Sequence, residues 1–262
     1  MRCTHGVFLD PDTRSRRRKR RYGVVGCFVI FSAGLLTGTP DGKSASGSDL
    51  RSLRGLKVIG GHSEVTSYRG RPAIRLSPAS DHPGSDDAVM AIVPDSEFKD
   101  GTVELEVAGS PRVGANEGAR GFIGIAFHVR IDVGRWELIY LRPTNGRSED
   151  QLRRNHSVQY VQHPDFPWER LRKESPGVYE SYVDLEPGEW TRMKIEVSGS
   201  RARLYVNGSK MPCLVVNDLK LGEIPGAVAL WSHSSTDGYF SDLTVARKRF
   251  DPEGQRKKGE PL

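Results

Sequence analysis

The sequence predicts an all-β protein, an antiparallel β-sandwich of jelly-roll type spanning residues 55–247. Three observations carry that reading. Apolar runs of strand length recur between Gly-, Pro-, Asn- and Asp-rich turns, about a dozen of them, at the spacing of antiparallel sheets. Several runs alternate apolar and polar residues with a period of two. No stretch of a dozen residues shows the 3.6-residue period of an amphipathic helix.

From the N-terminus, residues 1–21 form a basic leader with eight Lys and Arg against two Asp. The rest of the chain holds equal numbers of basic and acidic residues, so the net charge of +6 belongs to the leader. The body therefore offers no case for nucleic-acid binding. Residues 22–38 carry an apolar run of about 15 residues, short for a membrane span and right for a signal-sequence core. Either a signal sequence or an uncleaved membrane anchor is expected there, with the arginines kept in the cytosol. The domain is then exported to the periplasm, the cell surface or the medium, meeting a membrane only through this segment, and is read as a monomer. Residues 39–54 are a Gly/Ser/Asp-rich linker and residues 248–262 a charged tail, expected to be disordered. Cys213 is alone in the body, so no disulfide is available there and stability must come from the core. There is no Cys/His set with zinc spacing.

Within the body, LKVIG, EVTSY, AIRLS and AVMAIV lead to TVELEVA, where Val103, Leu105 and Val107 alternate with Glu104 and Glu106. That alternation is a half-buried strand, with the two glutamates on its solvated face. WTRMKIEV sets Met193, Ile195 and Val197 on one face, and ARLYVNG sets Ala202, Leu204 and Val206 inward before an Asn207-Gly208 turn. LVVNDLK, GAVALWS and YFSDLTVA complete the series.

Three strands at roughly 122–130, 135–142 and 156–162 break the pattern, because polar groups are threaded through their apolar runs. Each unpaired polar group taken out of water costs about 1–3 kcal/mol. Partner side chains or a ligand must therefore meet His128, Arg130, Glu137, Tyr140, Arg142, Asn155, Gln159, Tyr160 and His163. A ligand groove on one sheet face is the working expectation.

FKDGTVELEVA, GFIGIAFHV, WELIYLRP, SVQYV, GEWTRMKIEVSG and GYFSDLTV, in that order, resemble the concanavalin A-like lectin/glucanase superfamily. Within it the chain is similar to the exported 3-keto-glucoside lyase/hydratase, or 3-keto-disaccharide hydrolase, domains. The likeness spans about residues 55–247. It departs from the family at Ala119-Arg120-Gly121, where an Asn-Ser-Gly is usual, and in the Arg- and Asn-rich insert YLRPTNGRSEDQLRRNHS. The three alternating acids of laminarinase-type relatives are missing, which disfavours that two-carboxylate chemistry.

The resemblance implies an enzyme of hydrolase or lyase type acting on oxidised glycosides. A C3 ketone acidifies the C2 proton, so a base can expel the C1 substituent by elimination and water can add to the enone. On that reading His128 or Glu137 is the base, Arg142 the oxyanion partner and His163 the acid, with a divalent metal held by His and Glu left open. The alternative is a carbohydrate-binding module in which Trp168, Tyr140 and Tyr160 stack on sugar while Gln159, Asn155 and Arg142 hydrogen-bond it. A third reading is a surface scaffold whose polar residues pair among themselves. Small residues at Gly124 and Ala126 leave room over the face that carries His128. Alternation puts Glu137 and Arg142 on opposite faces. Trp190 and Trp231 are expected in the core, His233 is a second-tier rim candidate, and Arg153 and Arg154 are read as loop solubility or, on the functional reading, contacts to an anionic sugar.

Overall fold

The computed structural model describes residues 45–47, 55–79 and 88–248, all within one compact unit of residues 42–262. The basic leader, the apolar segment 22–38, most of the linker and the tail beyond Lys248 lie outside the described residues, and so do the expectations attached to them. Among the described residues no helix is long and apolar enough to cross a membrane.

The chain runs through β1 (Ala45–Gly47), β2 (Lys57–Ile59), β3 (Gly61–Tyr68), β4 (Arg71–Pro78), β5 (Ala88–Ile92), β6 (Gly101–Pro111), β7 (Ile123–Arg130) and β8 (Arg135–Leu141). It continues through a short helix α1 (Gln151–Asn155), β9 (Val158–His163), a second helix α2 (Trp168–Glu174) and β10 (Glu180–Ser181). The series closes with β11 (Thr191–Ser198), β12 (Arg201–Val206), β13 (Leu214–Val216), β14 (Ala227–His233) and β15 (Thr236–Arg247). One sheet has the order β13-β12-β11-β6-β15-β4-β3, with β1 also pairing to β15, and the other has the order β10-β9-β8-β7-β14-β5-β2. Every pairing is antiparallel. The non-sequential order is that of a jelly-roll sandwich, and β1 shows that three residues of the linker segment join a sheet.

The alternating strands place their apolar residues between the sheets. Val103, Leu105 and Val107 of β6, Met193, Ile195 and Val197 of β11, and Ala202, Leu204 and Val206 of β12 are all buried in the main core. Facing them from the second sheet are Ile123, Ile125, Phe127, Ile139, Leu141 and Leu230. Each such Val, Leu, Ile, Met or Phe side chain contributes about 1.5–3 kcal/mol on leaving water. Glu104 and Glu106 point outward, Glu104 to Arg192 and Glu106 toward Arg71 at 3.7 Å. Glu104→Gln should therefore change stability by less than about 1 kcal/mol, read by urea denaturation, because the pair is largely solvated.

A bulge decides what the second sheet presents. The β7–β8 register shifts between Phe127 and Arg130, and His128 sits there at φ 51°. The extra residue leaves Ala126 and Val129 on the same outer face, while Phe127 stays in the core. His128 turns inward with it, its ring 5.0 Å from that of Phe127 and 6.1 Å from that of Phe98. Gly226 seals the bulge: a Cβ there would lie 2.3 Å from the His128 carbonyl carbon and 2.6 Å from Val129 N.

Candidate functional site

Directly paired residues of antiparallel neighbours share a face. Across the second sheet one row therefore reads Met90, Trp231, Gly124, Tyr140, Gln159 and Glu180, taken from β5, β14, β7, β8, β9 and β10 in turn. This is the outer face, away from the main core. Tyr140 and Trp231 pack with ring centroids 5.3 Å apart over Gly124, where a Cβ would come 2.8 Å from that of Tyr140. The room left by Gly124 is thus taken by these rings. Trp231 is buried, as expected of a core residue, in the hydrophobic cluster of this outer face and apart from the core between the sheets. Trp190 precedes β11 and is half-buried edge-on to Tyr68 at 5.7 Å.

Arg142 follows β8 at one end of this face and is 6% exposed. Its Nη2 donates to the Tyr140 hydroxyl at 2.8 Å and its Nη1 to the His156 carbonyl at 3.3 Å. The guanidinium lies 5.2 Å from the Tyr140 ring, 5.9 Å from Phe122 and 5.7 Å from Trp168. Trp168 opens α2, is 38% exposed, and has Arg172 on it at 4.6 Å. Arg172 in turn pairs with Glu180 at 2.7 Å, and His156 Nε2 lies 3.1 Å from the same carboxylate. Burial holds the His156 pKa below its usual value against the pull of Glu180, and burial pushes the Tyr140 hydroxyl up. Gln159 is 1% exposed; its Nε2 donates to the Tyr160 and Tyr179 carbonyls, and its Oε1 has no hydrogen-bond partner.

The structure divides the residues expected to act together. Tyr140, Arg142, Gln159 and Trp168 lie on the outer face or at its rim. Glu137 and Tyr160 lie on the inner side: the Tyr160 hydroxyl donates to Glu137 Oε2 and accepts from Lys220 N, while Leu221 N donates to Glu137 Oε1 at 2.8 Å. Burial raises the Glu137 carboxyl to about 7 and pushes the Tyr160 hydroxyl well above its usual range. His128 is buried, with its Nε2 2.9 Å from the Lys99 carbonyl and its Nδ1 unpartnered; burial holds its pKa low. His163 is exposed and stacks on Trp136 at 3.9 Å. At about 3.3 Å per residue it stands roughly 20 Å along the strands from Arg142. Asn155 is exposed on α1 and accepts from Gln151 Nε2.

The quartet His128, Glu137, Arg142 and His163 therefore does not converge, and Tyr160 does not join the outer face. Pleating sends Glu137 inward, the bulge does the same to His128, and strand length separates His163. Among the described residues no group of three His, Cys, Asp or Glu could hold a metal ion. His233, bonded through Nδ1 to Ser235, lies 5.3 Å from Phe122 and so borders the Arg142 end. Phe122, His156, Arg172, Glu180 and Trp231 were not singled out as site residues, and only long-range packing assembles them.

No protein-family model matches the chain, and no curated protein matches it in sequence. Among solved structures, the carbohydrate-binding module CBM66 from Bacillus subtilis is 14% identical, with 72% of this chain and 93% of that one covered at a TM-score of 0.48. A beta-glucanase from Bacillus licheniformis is 13% identical, with 78% and 98% covered at a TM-score of 0.46. A protein of unknown function with galectin-like fold from Bacillus subtilis is 13% identical, with 78% and 96% covered at a TM-score of 0.51. That likeness and the strand order agree on the architecture: the chain has the concanavalin A-like, galectin-like jelly-roll fold.

Proposed function

We propose that the Arg142 end of the outer sheet face binds carbohydrate. The observation that carries this is Trp168, a partly exposed indole with the guanidinium groups of Arg142 and Arg172 at 5.7 Å and 4.6 Å from its ring, beside the buried Tyr140. A flat ring bordered by hydrogen-bond donors suits a pyranose, whose axial C–H face stacks while its hydroxyls bond at the edge. Solved structures of similar architecture include a carbohydrate-binding module. Binding without chemistry is favoured, since the expected bases, His128 and Glu137, turn inward and the expected acid, His163, stands roughly 20 Å along the strands from Arg142.

A glycan array followed by calorimetry tests the reading. Trp168→Ala should weaken the best saccharide about tenfold, the worth of one stacked ring. Unchanged affinity, or no saccharide bound at all, would sink it.

One observation favours a second, catalytic reading. His156 Nε2 lies 3.1 Å from the Glu180 carboxylate, alongside Arg142, on the same face. Elimination from a 3-keto-glycoside would use them as acid and base with Arg142 at the enolate oxygen. Glu180→Gln should then abolish product release from a 3-keto-glucoside and leave binding of its unoxidised parent intact. Export through residues 22–38 belongs to the same proposal, because free polysaccharide is met outside the cell; a reporter enzyme fused after residue 54 checks it by activity in the exported fraction.

A further inference from the structure

We infer that the ligand received at this end of the sheet is an acidic saccharide, whose carboxylate or sulfate ester pairs with Arg142; this rests on the carbohydrate reading above. The argument begins with charge. Arg142 is nearly fully buried, yet no carboxylate of the described residues lies within ion-pair distance of it, and its two hydrogen bonds go to the neutral Tyr140 hydroxyl and a backbone carbonyl. A cation taken out of water without a counter-ion is among the costliest things a fold can contain. The rings of Tyr140, Phe122 and Trp168 offset part of that cost and do not cancel the charge.

Two further guanidinium groups, half-buried and likewise without a carboxylate of the described residues at ion-pair distance, stand close by. Arg153 donates from Nε to Asn145 Oδ1 at 3.0 Å, and Asn145 Nδ2 donates to the same His156 carbonyl that Arg142 uses. Among the described residues the Arg120 guanidinium donates only to the Glu117 and Ala119 carbonyls, and the Arg120 carbonyl accepts from Thr144 N, whose hydroxyl accepts from Arg153 Nη2. Burial, and after it the fields of Arg153 and Arg142, hold the Arg120 pKa below the usual arginine value. The three are thus near enough to repel one another.

Two of the neighbouring acids are otherwise engaged. Glu180 is shared by Arg172 and His156, and Asp150 caps α1, accepting from Leu152 N and Arg153 N. Glu169 sits exposed in the first turn of α2, where Tyr140 feels its field. Arginines that repel each other around a buried, uncompensated one favour an anionic ligand. The Nε and one N–H on each terminal nitrogen of Arg142 have no acceptor among the described residues, a fork suited to a planar carboxylate or to two oxygens of a sulfate. The Trp168 ring alongside supplies the platform for the sugar that carries the acid group.

The test is calorimetry on the folded chain with tetragalacturonate, its fully methyl-esterified form, a κ-carrageenan tetrasaccharide, which carries sulfate esters and no carboxylate, and neutral cellotetraose. An acidic oligosaccharide is expected to bind about tenfold or more tighter than the ester and cellotetraose, and the preference should shrink as salt rises. Which acidic sugar wins tells carboxylate from sulfate. Arg142→Gln should bring the acidic ligand down to the affinity of the neutral ones. Should that variant fail to fold, Arg120→Gln and Arg153→Gln, on partly exposed side chains, should each weaken the acidic ligand about threefold and leave neutral sugars unchanged. Equal binding of charged and neutral sugars would overturn this inference while leaving the carbohydrate reading standing. Binding of none would overturn both.

Discussion

Wild-type protein should lose about 3 kcal/mol of stability between pH 4.5 and pH 7 relative to Glu137→Gln, measured by urea denaturation across that range. The Glu137 carboxyl is raised from 4.5 to about 7, first by burial, against the opposing hydrogen bonds from Tyr160 and Leu221 N. Below pH 4.5 the group is protonated whether the chain is folded or not, and it contributes no pH dependence. Between 4.5 and 7 the unfolded chain releases the proton and the folded one retains it, so each pH unit favours unfolding by about 1.4 kcal/mol. Above 7 both forms are ionised and the loss levels off. Tyr160→Phe removes a bond that favours the charged carboxylate, so it should move the upper limit of the window to higher pH. It also strips the acceptor of Lys220 N, and should cost a further constant of about 1–3 kcal/mol. Parallel pH profiles of wild type and Glu137→Gln would refute this account of the pair.

Gly226→Ala should cost about 3 kcal/mol or more in the same denaturation assay. The added Cβ meets only backbone, the His128 carbonyl carbon and Cα and Val129 N, so no side chain can swing away. Gly134→Ala provides the comparison: its φ is +62° but nothing lies within 4 Å of the built Cβ, so only the backbone conformation is penalised, at about 1–2 kcal/mol. A Gly226 variant as mild as the Gly134 one would mean that the β7 bulge relaxes freely.

The outer face was only partly legible. Tyr140 and Arg142 stood out because a phenol and a guanidinium alternate on one strand, and the same alternation separated them from Glu137. Trp168 stood out as a tryptophan in a polar loop. The inward turn of His128 had no local signal, since a bulge adds one residue without changing composition and reverses every facing assignment beyond it. Gly124 and Ala126 were read as space for a ligand because a small residue looks the same whether a ligand or the ring of Tyr140 fills its room.

The amino-acid sequence alone determined the architecture. Period-two burial, turn chemistry and the absence of a helical period are local properties that each strand carries within itself, and they suffice for a sandwich. Tertiary structure alone decided the meeting of Arg142, Arg153 and Arg120, the engagement of Glu180 by Arg172 and His156, and the pairing of Glu137 with Tyr160. Those depend on which strands become neighbours and where one extra residue slips the register. Such contacts join residues up to 84 positions apart, as between Glu137 and Leu221 N, and nothing in the spacing along the chain records them.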